Sequence, residues 1–154
     1  MNVRLGDRRG FSLFELIVVM LIIAIASAMA VPAVTGGWRS REIRQGTRKL
    51  AGVMRSLRER AVRRGVEQEL VLDPDGETLR WTDGPGTTLP ENVTIGAVSG
   101  GWRDEDGSVR VIFYPNGGAT GFSAIVAARA GGGLQFAIDV EALLGTVVIR
   151  EVGG

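Results

Sequence analysis

Glu15 is the residue whose type and setting most constrain the chemistry open to this chain. It stands five positions into residues 11–34, a stretch that from Ile17 onward is apolar except for Ser27 and Pro32. As a helix those 24 residues would extend about 36 Å, enough to cross a bilayer. A carboxylate within such a span costs on the order of 2.5–3.5 kcal/mol, which marks a functional site with a partner. Close to the interface the same group would cost little, and both readings stand at this level.

The remaining chemistry is limited by what is missing. There is no histidine and no cysteine, which removes the commonest general base, the commonest metal ligands and any disulfide. Carboxylate chemistry or oxygen-ligated calcium is left. Asp104-Glu105-Asp106 with Asp83 could gather calcium, but the ligand spacing of a calcium loop is absent, so a solvated acidic loop is expected. Trp102 beside it either meets a partner or plugs a sheet edge. Residues 115–121, Pro-Asn-Gly-Gly-Ala-Thr-Gly, are glycine-rich but lack the Lys-Ser/Thr ending of a phosphate loop and read as a turn. Nothing in the sequence places two acids on facing elements. No catalytic, cofactor or metal residue is expected, and the chain is read as not an enzyme.

The net charge of +1 hides a division. Residues 39–64 carry ten Arg/Lys against Glu42 and Glu59, whereas residues 65–154 carry five Arg against thirteen Asp/Glu. The basic block has helical periodicity: Ile43, Thr47, Leu50, Met54, Leu57 and Ala61 recur at spacings of three and four and form one apolar stripe. Gly65, with arginines before it, ends the helix. The stripe is expected to pack on a sheet, with a coiled-coil partner as the alternative. Pro32 is expected to kink the helix, Gly36-Gly37 to weaken it, and the helix to resume near Arg39.

Beyond Val66 the pattern is that of strands: 67–72, 78–82, 93–98, 109–114, 123–130, 134–140 and 145–152. Asp73-Pro74-Asp75-Gly76 and Gly131-Gly132-Gly133 form turns, and 84–90 and 99–107 form loops. One long helix followed by six or seven antiparallel strands is an α+β arrangement.

The N-terminus could pass for a secretory signal cleaved after Ala28-Met29-Ala30. The apolar segment is long for that purpose, and it carries Glu15. Gly10-Phe11-Ser12-Leu13-Phe14-Glu15-Leu16 instead resembles the processing signal of type IV prepilins and type II secretion pseudopilins. The resemblance implies that prepilin peptidase cuts between Gly10 and Phe11 and that Phe11 is N-methylated. Residues 1–10 would be the discarded leader and 11–34 a transmembrane and assembly helix. Residues 35–65 would be its amphipathic continuation and 66–154 a periplasmic β-rich domain. It also implies that Glu15 pairs with the Phe11 amine of a neighbouring subunit. Arg4, Arg8 and Arg9 against Asp7 fit a cytoplasmic N-terminus and a single pass through the inner membrane.

Several later segments resemble the H-type minor pseudopilin (GspH/FimT) family: Ala61-Val62-Arg63-Arg64-Gly65, Leu89-Pro90-Glu91-Asn92-Val93, residues 112–121 and Gly145-Thr146-Val147. This implies a type IV pilin-like α+β fold, a long N-terminal helix on an antiparallel sheet. The implied role is a near-tip subunit of a periplasmic pseudopilus, a hetero-oligomeric filament. It would link the other minor pseudopilins to the major-pseudopilin shaft, with an inner-membrane assembly platform as a further partner and no cofactor. The alternative is a FimT/FimU-like minor pilin that primes type IV pilus assembly or aids DNA uptake. DNA binding is not expected, because the globular part is acidic and phosphate recognition needs a basic surface.

Overall fold

The computed structural model describes residues 12–73, 75 and 77–153, without the side chains of residues 28–39. The chain divides into two compact units, Met1–Gly37 and Trp38–Gly154.

Helix α1, Leu13–Arg64, begins in the first unit. There Leu16, Ile17, Val18, Val19, Met20, Leu21, Ile22, Ile23 and Ile25 are all exposed. Consecutive positions point around the whole helix, so this is apolar surface on every side rather than one stripe. Among the described residues no helix is long and apolar enough to cross a membrane, and side-chain description of the apolar run stops at Ser27. The α-helical assignment includes Pro32, Gly36 and Gly37, so the expected fresh start near Arg39 is not found. The side chain of Pro32 lies outside the described residues, and a bend there stays an expectation.

In the second unit, Ile43, Thr47, Leu50, Met54, Leu57 and Ala61 are all buried, as the stripe requires. Thr47 is tolerated there because its hydroxyl donates to the Ile43 carbonyl at 2.7 Å. Gly46 lets the helix approach the sheet closely: a Cβ at this position would lie 3.0 Å from Val93 Cγ1. The helix ends where Gly65 turns left-handed at φ +68°, its N–H donating to the Ala61 carbonyl.

Nine strands follow among the described residues. They are β1 (Gln68–Leu72), β2 (Thr78–Trp81), β3 (Thr87–Thr88), β4 (Val93–Gly100), β5 (Trp102–Arg103), β6 (Val109–Phe113), β7 (Phe122–Ala128), β8 (Phe136–Val140) and β9 (Val147–Glu151). They form two antiparallel sheets, of order β3-β2-β1-β6-β5 and β4-β7-β8-β9. Burial alternates residue by residue in β1, β6 and β7, which turns one face of each sheet inward. Leu70, Leu79, Val111 and Phe113 from one sheet join Val93, Val126 and Ile138 from the other. Both sets meet Leu50, Met54 and Leu57 of α1 in a single core.

The α+β arrangement is as expected, but where six or seven strands were expected the described residues hold nine, in two sheets. β3 falls in the expected loop 84–90 and β5 in the expected loop 99–107. Each has two residues, too few to show a period, and exists because a longer strand supplies the hydrogen-bonding edge. β4 continues past Val98 through a register shift between Gly96 and Ser99, where Ala97 takes φ 45°, a bulge.

Candidate functional site

Gly10 and Phe11, the expected processing pair, lie outside the described residues. From Ser12, the next residue, the geometry is defined. The Glu15 N–H donates to Ser12 Oγ at 3.4 Å, and the Leu16 N–H donates to the Ser12 carbonyl at 3.2 Å, the first turn of α1. Ser12 is therefore the N-cap and Glu15 the third helical residue, the Ser-x-x-Glu spacing of a capping box. The Glu15 carboxylate is exposed in that first turn, where the helix dipole favours negative charge. It sits four residues from Phe11 in sequence, on an element whose apolar side chains are uncovered.

In the globular unit, residues 114–121 form a tight turn and not a phosphate cradle. The Gly117 N–H donates to the Tyr114 carbonyl, the Tyr114 N–H donates to the Gly118 carbonyl, and the Gly118 N–H donates to Asn116 Oδ1. With Gly117 and Gly118 buried, the backbone donors a phosphate would need are already engaged. Arg58 of α1 fastens this turn to the last loop: its Nε donates to the Gly117 carbonyl at 3.1 Å and to the Leu144 carbonyl at 2.8 Å. Gly145 (φ +60°) permits that closeness, since a Cβ there would stand 2.4 Å from the Gly117 oxygen.

The acidic loop is more structured than a solvated run. Arg110 lies between Glu69, 2.8 Å away, and Asp104, which it also contacts. The hydrogen bond to Asp104 is the main reason its guanidinium is held above the ordinary arginine value. Asp106 accepts from the hydroxyl and the N–H of Ser108 at 2.7 and 2.9 Å, which lowers its carboxyl below the usual range. Asp83 pairs with Arg64 instead. Among the described residues no acidic group is arranged to hold a metal ion. Trp102 is 61% exposed on edge strand β5, so of the two readings it is surface and not plug.

Arg58 and Arg110 belong to no local sequence pattern: both partners of Arg58 are distant in the chain, and Arg110 joins nearby Asp104 to distant Glu69 only once β1 and β6 pair. The capping role of Ser12 did have a signal, the Ser-x-x-Glu spacing itself.

The first segment matches the prokaryotic N-terminal methylation motif over residues 6–31. With an apolar helix and a helix-on-sheet globular unit, this defines a pilin-like protein. Residues 46–143 match the type II transport protein GspH model, and the chain belongs to that family. A type II secretion system protein H of Xanthomonas campestris pv. campestris is 29% identical over 116 residues, covering 73% of this chain and 68% of the relative. One from Pseudomonas aeruginosa is 36% identical over 83 residues, covering 53% of this chain and 48% of the relative. The fold is shared with the minor pseudopilin EpsH of Vibrio cholerae (TM-score 0.57, 17% identity, 73% of this chain and 99% of that one). It is also shared with the type IV minor pilin FimU of P. aeruginosa (TM-score 0.55, 12% identity, 72% and 90%).

Proposed function

We propose that this chain is a minor pseudopilin of a type II protein secretion system, a structural subunit near the tip of the periplasmic pseudopilus. The observation that carries this reading is the order of two family matches on one chain: a methylation motif over residues 6–31, then the GspH domain over residues 46–143. Prepilin peptidase cleaves between Gly10 and Phe11, and the new Phe11 amine is methylated. The apolar segment holds the subunit in the inner membrane, N-terminus cytoplasmic and globular unit periplasmic, until the assembly platform inserts it into the filament.

Glu15 has a physical task in that step. A carboxylate on an uncovered apolar helix is poorly solvated once neighbouring helices exclude water and lipid headgroups. Pairing with the Phe11 amine of an adjacent subunit relieves both charges and rewards one axial register. The Ser12 cap fixes the first turn and so limits where the carboxylate can point.

A type IV minor pilin remains the second reading, favoured by the fold shared with FimU. Deletion of the gene in the source organism separates the two. Loss of secreted enzymes with pilus extension intact supports the pseudopilin, whereas lost pilus extension with normal secretion contradicts it.

A further inference from the structure

On α1, the side chains of Arg41, Arg44, Gln45, Arg48 and Lys49 line a shallow surface hollow of about 520 Å³. All five are exposed. Arg41, Arg44 and Arg48 stand at spacings of three and four, so their guanidinium groups project from one side of the helix along roughly 10 Å. No carboxylate lines the hollow. The nearest acid in sequence, Glu42, accepts instead from Asn92 Nδ2 at 3.0 Å. Arg44 lies over the Phe136 ring, 5.7 Å from its centroid, and Lys49 donates to the Thr88 carbonyl at 2.7 Å. Neither contact neutralises charge. Among the described residues Arg41 and Arg48 take part in no ion pair.

We propose that Arg41, Arg44 and Arg48 bind the phosphate of an anionic phospholipid in the leaflet where the apolar segment emerges. The proposal rests on the membrane-anchored reading given above. Three features fit a lipid. Arg41 follows the last residue of the apolar run, Val34, by seven positions, about 10 Å of helix, so the array starts just beyond the headgroup layer and its long side chains can reach back to it. The guanidinium fork matches phosphate oxygens two at a time, while the aliphatic stems offer an apolar wall to the glycerol end of a lipid. The hollow also lacks the Trp and Tyr anchors that centre tight protein interfaces.

Native mass spectrometry of the full chain, released from neutral detergent holding equimolar phosphatidylglycerol and phosphatidylcholine, provides the test. The expected result is retention of phosphatidylglycerol over phosphatidylcholine by roughly tenfold, since each basic group at a membrane surface contributes severalfold. R41Q/R44Q/R48Q should bring the ratio near one, and R60Q/R63Q/R64Q, which removes as many charges elsewhere on α1, should leave it high. An unchanged melting temperature shows that each variant is folded. A ratio near one in the native chain, or one the first variant does not alter, overturns the proposal. So does an acidic protein that competes away the phosphatidylglycerol. A chain that stays dispersed without detergent and retains neither lipid would instead overturn the anchoring reading.

Discussion

The N–H of Glu15 donates to the hydroxyl of Ser12 at 3.4 Å, making a helix cap out of two residues inside the matched methylation motif. Capping and assembly make different demands on Glu15, and substitutions separate them. Ser12→Ala removes only the cap, a loss of about 1 kcal/mol from the first turn, and should reduce filament incorporation modestly. Glu15→Gln keeps side-chain length and hydrogen-bonding capacity but removes the charge. Incorporation, measured by cross-linking to the major subunit, should fall by at least tenfold. Equal incorporation of Glu15→Gln and wild type would leave the Glu15 carboxylate without a part in assembly.

Arg58 holds two loop carbonyls from one guanidinium nitrogen. Bonds from a charged donor contribute on the order of 1.5–3 kcal/mol when protected, and Arg58 is only part-buried. Arg58→Ala should therefore cost about 2 kcal/mol, a melting temperature lower by roughly 6–10 °C. Calorimetry on the full chain in detergent checks this; a shift below 2 °C would mean water replaces both bonds without loss.

Gly145 and Gly131 are both left-handed, at φ +60° and +74°, but only Gly145 is crowded. A Cβ at Gly131 meets nothing within 4 Å. Gly131→Ala should cost about 1 kcal/mol for the backbone conformation alone. Gly145→Ala adds a clash with the Gly117 oxygen and should cost about 2–4 kcal/mol. Denaturant midpoints for the pair isolate the steric part, and equal midpoints would contradict the close approach of these two loops.

Asp139 accepts from Arg150 at 2.7 and 3.0 Å and from Ser123 at 2.8 Å. The bonds from Arg150, then that from Ser123, hold its carboxyl below the ordinary value. The folded form thus binds a proton less readily than the unfolded chain. The resulting stability is present above pH of about 4 and is lost as pH falls through the folded value. Because Arg150 is largely exposed, the contribution is at most about 1 kcal/mol. Asp139→Asn should flatten stability against pH below about 4 in urea titrations, and an unaltered profile would remove Asp139 from the acid response.

Much of the globular fold could be read from periodicity. The stripe from Ile43 to Ala61 needs a 3.6-residue repeat with one apolar side, and all six positions are buried. The longer strands show alternation, and β1, β6 and β7 appear within a residue or two of where it placed them. The division into two sheets was not legible, because alternation says which face is inward and not which strand is adjacent. β3 and β5 were invisible for want of length. Gly10, Phe11 and Glu15 are neighbours in the linear sequence, and the matched methylation motif spans all three, so their grouping needs no folded structure to be seen. Arg58, Arg110 and the hollow at Arg41–Arg48 depend on contacts or faces that only folding assembles.

The most direct test of the central claim is intact and N-terminal mass analysis of the chain purified from membranes of a cell that makes prepilin peptidase. A pseudopilin should give the mass of residues 11–154 plus one methyl group, with the methyl on the amine of Phe11. A chain that keeps Met1, or one that begins after Ala30, would contradict the account.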